Sequence, residues 1–205
     1  MTSYPVLTRR DLGDQIGQML RPTDKEWFHM VPEGEEKVRD NDAKRWLERA
    51  AQIQRNVMYS RGSQFTRAVK EADHDFAAFG QCVISCRLNR NADNLLYRNW
   101  HIRDVVWQEN EEGAVGLIAR KWKPSAIDVV RLFKDVDPKV VELSKKKPFN
   151  KVNCYHIVCD AQMYSDQANG RPFWSIYYDC DNHKIMEAVP IWNQEYVIPR
   201  WQTVS

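Results

Sequence analysis

The hydrophobic period of this chain changes once, at Gly80, and that change limits the folds the chain can adopt. Before Gly80, apolar residues recur at intervals of three and four, as on one face of a helix; after it they alternate, as in a strand. Turn-forming clusters such as "NRNADN" and "SDQANGRP" separate the later segments. Helices followed by antiparallel strands predict an α+β fold, with a helical part at residues 1–79 and a mainly antiparallel β part at 80–205.

Three amphipathic helices are predicted in the helical part. The first runs from Thr8 to Leu20, because Thr8 and Asp11 have the spacing of a capping box. The second carries an apolar stripe from Trp46 to Met58, and the third repeats the pattern from Phe65 to Phe79. Only a Gly-Ser break separates these two, so we expect them to form a hairpin with a shared apolar seam.

The β part begins with "QCVISCRL", whose alternation indicates a strand with one face more buried. One helix interrupts the strands near residues 125–133, where Ser125 and Asp128 again have capping-box spacing. The lysines of "SKKKP" are expected in a solvated loop. Further strands are predicted in the segments "NLLYRNWHI", "DVVWQE", "AVGLIARKW", "VNCYHIVCDAQMY", "PFWSIYYDC", "KIMEAVP" and "YVIPRW".

Composition and charge exclude several classes of protein. A chain that is 43% hydrophobic can bury a sizeable core, and a net charge of +2 lacks the basic excess of proteins that bind phosphates tightly. The longest uncharged run, Phe76 to Cys86, is too short to span a membrane, and the first residues lack a signal peptide. Five cysteines without framework spacing favour reduced thiols over a disulfide scaffold.

The cysteines and histidines could form a zinc site or a cysteine nucleophile, but their spacing argues against both. No Cys-x-x-Cys pair occurs, and Cys154 and Cys159 point to opposite faces of a strand. No segment presents a thiol at a helix N-terminus or a strained turn. A cysteine-dependent hydrolase or metal enzyme therefore stays an alternative, and no cofactor is predicted. The residues concerned are Cys82, Cys86, Cys154, Cys159, Cys180, His156 and His183.

Two other clusters could carry chemistry. The segment "EADHDF" is dense in titratable groups, but helical spacing places Glu71, His74 and Asp75 together on one polar face, which we expect to be a solvated or interface face and not an active site. The segment from Tyr97 to Trp107 interleaves aromatic residues with arginines, as single-stranded nucleic-acid binders do. Alternation in a sheet gives the same pattern, so nucleic-acid binding stays a further alternative.

Several segments, in this order, resemble the head-to-tail connector family, the portal proteins of short-tailed bacteriophages. These are "LRPTDKEWFHM" with its Trp-Phe pair, a helix carrying "RWLERA", the stretch "DHDFAAFGQCVISCRL", the strand and helix of "ARKWKPSAIDVVRLF", and the final "YVIPRW". The residues that match the family's motifs are Trp27, Phe28, Asp75, Phe79, Gly80, Pro199, Arg200 and Trp201.

The resemblance implies a wing-like region of a portal protein. In the family, further helix precedes the first one here, and the Pro-Arg-Trp strand leads into long channel-lining helices. The resemblance therefore implies a partial chain in which the stem, clip and crown are absent.

The function implied by the resemblance is structural, not enzymatic. Portal proteins form a dodecameric ring at one capsid vertex, where they contact capsid and scaffolding protein, terminase and tail adaptor proteins, and DNA passes through without tight specific binding. The implied location is the portal vertex of the virion, with assembly in the host cytoplasm. We expect the subunit contacts to use exposed aromatic residues and arginine, and the candidates are Trp27, Phe28, Trp100, Trp107, Arg200 and Trp201.

Overall fold

A computed structural model describes residues 3–22, 25–34, 40–89, 91–165 and 167–201. The chain forms two compact units. One contains the residues up to Trp100 together with those from Val197 onward, and the other contains residues from His101 to Tyr196. The predicted division into residues 1–79 and 80–205 follows secondary structure, whereas the two units are defined by compactness. The assignment of both parts to a wing-like region stays a prediction.

The first unit holds three helices, α1 (Tyr4–Leu20), α2 (Asn41–Met58) and α3 (Phe65–Phe79). The α1 helix begins earlier than predicted, because Pro5 occupies its first turn, where no backbone donor is needed. The predicted capping box is wrong, since the Thr8 hydroxyl lies within the helix and donates to the carbonyl of Tyr4 at 3.0 Å.

The packing partner of α3 is α1, so the predicted hairpin between α2 and α3 is wrong. Two glycines of α1 allow the close approach. A Cβ at Gly13 would lie 2.6 Å from Nδ1 of His74, and a Cβ at Gly17 would lie 2.7 Å from Oδ2 of Asp73. Helical periodicity shows which face of α3 is apolar, but it does not show which helix that face meets.

Two strands complete the first unit, β1 (Val83–Leu88) and β2 (Leu95–Trp100), which pair antiparallel. The more buried face of β1 carries Val83 and Ser85, at 0% and 4% exposure. The face of Ile84 and Cys86 is only half-buried.

The second unit is built on a five-stranded sheet with the order β3-β4-β5-β6-β7, in which all neighbours are antiparallel. The final short strand, β8 (Tyr196–Val197), crosses the boundary between the units and joins the first sheet, in the order β2-β1-β8. The strands of the second sheet are β3 (Val105–Glu109), β4 (Val115–Trp122), β5 (Cys154–Asp160), β6 (Phe173–Asp179) and β7 (Lys184–Ile191).

Two helices, α4 (Ala126–Leu132) and α5 (Pro138–Lys146), cover one end of this sheet. Their buried side chains form a core with residues of β5, β6 and β7. The predicted cap of α4 is confirmed, because the Ser125 side chain accepts from the backbone N–H of Asp128. Short 3-10 turns lie at Ile102–Asp104 and Ala161–Met163.

The α5 helix was not predicted, and the expected "SKKKP" loop is wrong for Lys145 and Lys146, which lie in the last turn of α5. Asp137 caps the helix and Pro138 occupies its first turn. The Asp-Pro pair is the sequence signal that could have found this helix. The α+β fold class is confirmed, and its inserted helical region contains both α4 and α5.

Candidate functional site

Two segments that resemble the connector family come together in the first unit, although they lie far apart in the sequence. The backbone N–H of Trp201 donates to the carbonyl of Gly80 at 2.9 Å, and the N–H of Cys82 donates to the carbonyl of Pro199 at 3.4 Å. The "PRW" segment thus runs antiparallel to the residues that follow α3. The proline is tolerated because here its carbonyl, and not its missing N–H, makes the contact.

Gly80 is the residue that lets the chain turn from α3 into this pairing. Its φ of +71° is left-handed, a conformation that favours glycine, and its N–H donates to the carbonyl of Phe76 at 2.8 Å. The ring of Phe76 lies 5.7 Å from that of Trp201. Phe79 is 48% exposed and Trp201 is 74% exposed, so this end of α3 presents aromatic surface.

The other two matched residues of these segments lie beside the pairing. Arg200 forms an antiparallel bridge with Gln81 and is exposed. Asp75 accepts a hydrogen bond from Nδ2 of Asn99 at 2.7 Å, which ties α3 to β2. Asp75 therefore has a structural partner within the unit.

Trp27 and Phe28 belong to an aromatic cluster inside the first unit, and both are half-buried. Their ring centroids are 4.7 Å apart, and the Trp27 ring lies parallel to Phe65 at 6.5 Å. Trp27 Nε1 donates to the hydroxyl of Tyr59 at 3.1 Å. Phe65 also meets Tyr97 edge-on at 5.0 Å. These contacts give the Trp-Phe pair a role in fixing the segment before α2 against α3.

Trp100 and Trp107 lie in different sheets, one in each unit. Trp100 is half-buried and its Nε1 donates to the hydroxyl of Ser85 at 2.8 Å. Trp107 is half-buried on β3, opposite Ile118.

The α2 helix exposes an apolar face where sequence analysis predicted a buried seam. Trp46 is 69% exposed, Ile53 is 55% exposed and Val57 is 36% exposed, and their spacing places them on one side of the helix. We call these three residues the α2 stripe. Among the described residues, no helix or strand makes more than marginal contact with α2.

Part of the acidic cluster of α3 lies at the contact with α1, which is one of the two surroundings expected for it. Asp73 forms an ion pair with Arg21, and both side chains are largely buried. Nε2 of His74 lies 3.4 Å from a carboxylate oxygen of Asp14. Both contacts join α3 to α1, and helix spacing alone did not reveal them.

The thiols of Cys82 and Cys154 do not have the properties of a catalytic nucleophile. Burial raises the pKa of the Cys82 thiol to about 11, and burial together with the charge of Asp179 raises the pKa of Cys154 to about 12. Both thiols are therefore protonated at neutral pH. In the described parts of the chain, no group of three His, Cys, Asp or Glu side chains is placed to hold a metal ion.

A buried polar network in the second unit was missed by sequence analysis, in which His156 had only been weighed as a metal ligand. His156 is 1% exposed and stacks on Tyr177 at 4.2 Å between ring centroids. Its Nδ1 lies 2.5 Å from the hydroxyl of Tyr196, and its Nε2 lies 2.9 Å from that of Ser175. Arg120 Nε donates to the same Tyr196 hydroxyl at 2.9 Å. Arg120, His156 and Tyr196 are all buried, at 2%, 1% and 4% exposure, as is usual for a structural network.

No described helix is both long and apolar enough to cross a membrane.

Comparison with known proteins identifies the family. No curated protein matches the chain. The family described as bacteriophage head to tail connecting protein matches residues 2–205, which is nearly the whole sequence. That extent agrees with the paired signature segments, because the match includes both of them. The chain belongs to the bacteriophage head-to-tail connecting protein family, a family of structural proteins that join the phage head to its tail.

Proposed function

We propose that this chain is a subunit of the portal ring at one vertex of a short-tailed phage. The described residues form the wing-like part of such a subunit. The ring is a dodecamer through which DNA enters during packaging and leaves during ejection. Terminase docks on it during packaging, and tail adaptor proteins dock on it afterwards. Capsid and scaffolding proteins surround it during assembly in the host cytoplasm.

The observation that carries this proposal is the family match over residues 2–205. The chemistry of the chain supports a passive role. The net charge of +2 leaves little excess to hold phosphates, and a conduit for moving DNA must not grip it, since each neutralised phosphate adds affinity. The buried thiols and the structural partners of the acidic cluster favour a scaffold over an enzyme.

Exposed apolar surface gives the second line of support. A ring subunit needs two different complementary surfaces, one for each neighbour. Trp201 and the α2 stripe expose large apolar side chains at two separate places in the first unit. Isolated apolar residues are common on protein surfaces, but a whole unpartnered helix face indicates an interaction site.

The direct test is to find the protein in the virion. Antibodies raised against the purified chain are applied to intact phage and imaged by immunogold electron microscopy, and copies per particle are counted by quantitative mass spectrometry. We expect a single gold cluster at the vertex that carries the tail, and a dodecameric copy number. Absence from purified virions, or label spread over the whole capsid, would refute the proposal.

A further inference from the structure

The α2 stripe has a counterpart in the second unit. The β3 strand is the edge of its sheet, so in the described chain its outer side pairs with no other strand. Val106 on this strand is 67% exposed. Val106 pairs with Ala119 of β4, which in turn pairs with Ile157 of β5, and both of these residues are half-buried on the same face of the sheet. Tyr155 also lies on that face and is 36% exposed. This edge of the sheet therefore exposes apolar surface at Val106 and Tyr155, while Ile157 packs against the buried cluster that contains Ile176.

The turn at the end of β3 is rigid and acidic. The Asn110 side chain accepts from the backbone N–H groups of Glu112 at 3.1 Å and Ala114 at 3.0 Å, and Gly113 takes a left-handed φ of +75°. Glu111 and Glu112 are exposed at this turn, and residues 105–119 contain neither Lys nor Arg. We call the exposed β3 edge face with these two glutamates the hairpin surface.

The α2 stripe has the opposite charge at its border. Arg45 and Arg49 are exposed and lie one helical turn apart, on the side of the helix next to Trp46 and Ile53. The pairing of Arg45 with Asp42 is loose, at 4.0 Å with both side chains more than four-fifths exposed, so it leaves the arginine available. Each surface therefore combines apolar side chains with charges that complement the other.

The α2 stripe is long enough to cross the hairpin surface. Trp46 and Val57 are eleven residues apart, which corresponds to about 16 Å along a helix. The three strands that carry the apolar face, β3, β4 and β5, extend about 10 Å across the sheet.

We propose that the α2 stripe of one copy docks on the hairpin surface of a second copy, with the two arginines of the helix against the two glutamates of the turn. The inference rests on the proposed function, because it names one subunit contact of the ring. The two surfaces differ, so the contact is head-to-tail, and repetition of such a contact closes a ring or forms a filament.

The test uses two charge-reversed variants of the full chain. In the first, Arg45→Glu and Arg49→Glu reverse the helix; in the second, Glu111→Lys and Glu112→Lys reverse the turn. Each variant alone places like charges at every contact, so we expect self-association to weaken by about tenfold or more in sedimentation velocity. In an equal mixture, the reversed helix of one variant can meet the reversed turn of the other, and the unchanged helix can meet the unchanged turn. Both contacts have opposite charges, so association should recover. Docking of α2 within its own chain would not recover on mixing.

The control is Arg9→Glu with Arg10→Glu, which makes the same change in net charge on the exposed part of α1. It should associate like the wild-type chain. A further variant, Trp46→Ala, should weaken association while the melting temperature stays the same, because this side chain is exposed in the single copy.

Three results would overturn the inference: both reversed variants associating like the wild-type chain, weakened variants that do not recover on mixing, or a wild-type chain that stays monomeric at every concentration. None of these decides the proposed function, which is tested separately by the location and copy number of the protein in virions.

Discussion

The hydroxyl of Tyr196 joins two buried groups, and its removal gives a sharp test of the network in the second unit. Tyr196, His156 and Arg120 are 4%, 1% and 2% exposed. Arg120 Nε can only donate, so the tyrosine oxygen accepts from it at 2.9 Å. The tyrosine hydroxyl also lies 2.5 Å from Nδ1 of His156, and Nε2 of the same imidazole lies 2.9 Å from the Ser175 hydroxyl and 3.5 Å from a carboxylate oxygen of Glu195.

Tyr196→Phe removes the hydrogen bond to the charged Arg120 and the hydrogen bond to His156. A buried group left unsatisfied costs about 1–3 kcal/mol, with the larger values for charged groups. The two losses together predict a decrease of about 3 kcal/mol in the free energy of unfolding. The ring is retained, so the loss does not include a cavity term.

The measurement is urea unfolding followed by circular dichroism and tryptophan fluorescence. We expect a lower midpoint with an unchanged slope, because the variant exposes the same surface on unfolding. Tyr155→Phe is the matched control, since its ring is 36% exposed and its hydroxyl loss should change stability by less than about 0.5 kcal/mol. If Tyr196→Phe is as stable as this control, the hydrogen bonds assigned to the network are wrong.

Three further predictions follow from the same contacts. Burial raises the pKa of Tyr196 from 10.0 to about 12, so the folded state favours the protonated phenol. The stability that this preference gives is complete below pH 10. It is lost between about pH 10 and 12, by at most about 3 kcal/mol. Alkaline unfolding curves should show this loss, and Tyr196→Phe should reduce it. Cys82 and Cys154 should react with a disulfide reagent at pH 8 far more slowly in the folded protein than in urea, since burial raises both thiol pKa values; equal rates would contradict their burial. Gly13→Ala should destabilise the chain by about 1–3 kcal/mol in thermal melts, because its Cβ would lie 2.6 Å from the ring of His74, and a gain in stability would contradict the close contact of α1 with α3.

The elements of this fold follow from local sequence patterns. Every predicted strand segment contains a strand, because alternation of apolar residues and turn-forming clusters are local signals. The same reasoning found α4 from Ser125 and its capping spacing. It missed α5, whose Asp137 and Pro138 give an equally local signal that had not been considered.

Partners in space could not be predicted in the same way. The apolar stripes of α2 and α3 have the same period, yet α3 packs on α1 and the α2 stripe is exposed. The deciding feature is the absence of side chains at Gly13 and Gly17, which lets α1 approach Asp73 and His74. A hydrophobic pattern contains no information on such steric fit, and for this reason the sequence predicts a buried seam at the α2 stripe, which the structure shows to be exposed.

The candidate site was predicted as separate motifs, and the structure joins two of them. Nothing in the spacing of "DHDFAAFG" and "YVIPRW" indicates that Gly80 and Trp201 exchange a backbone hydrogen bond. Trp27 and Phe28, which are candidate interface residues, contact each other, and Trp27 also contacts Tyr59 and Phe65 within the unit. Whether any of the candidate residues forms a subunit contact stays a prediction.

The strand order of the first sheet explains why the "PRW" segment belongs to the signature of the fold. The β1 strand lies between β2 and β8 in the sheet. The chain leaves the first unit after β2 and returns to it at β8. The second unit is therefore inserted in the sequence between β2 and β8, the two strands that lie on either side of β1. During synthesis, the first sheet cannot be completed until the whole inserted unit, residues 101–196, has been made. Residues 199–201 then join Gly80 and Cys82, and this last pairing both closes the sheet and places Trp201 beside the end of α3.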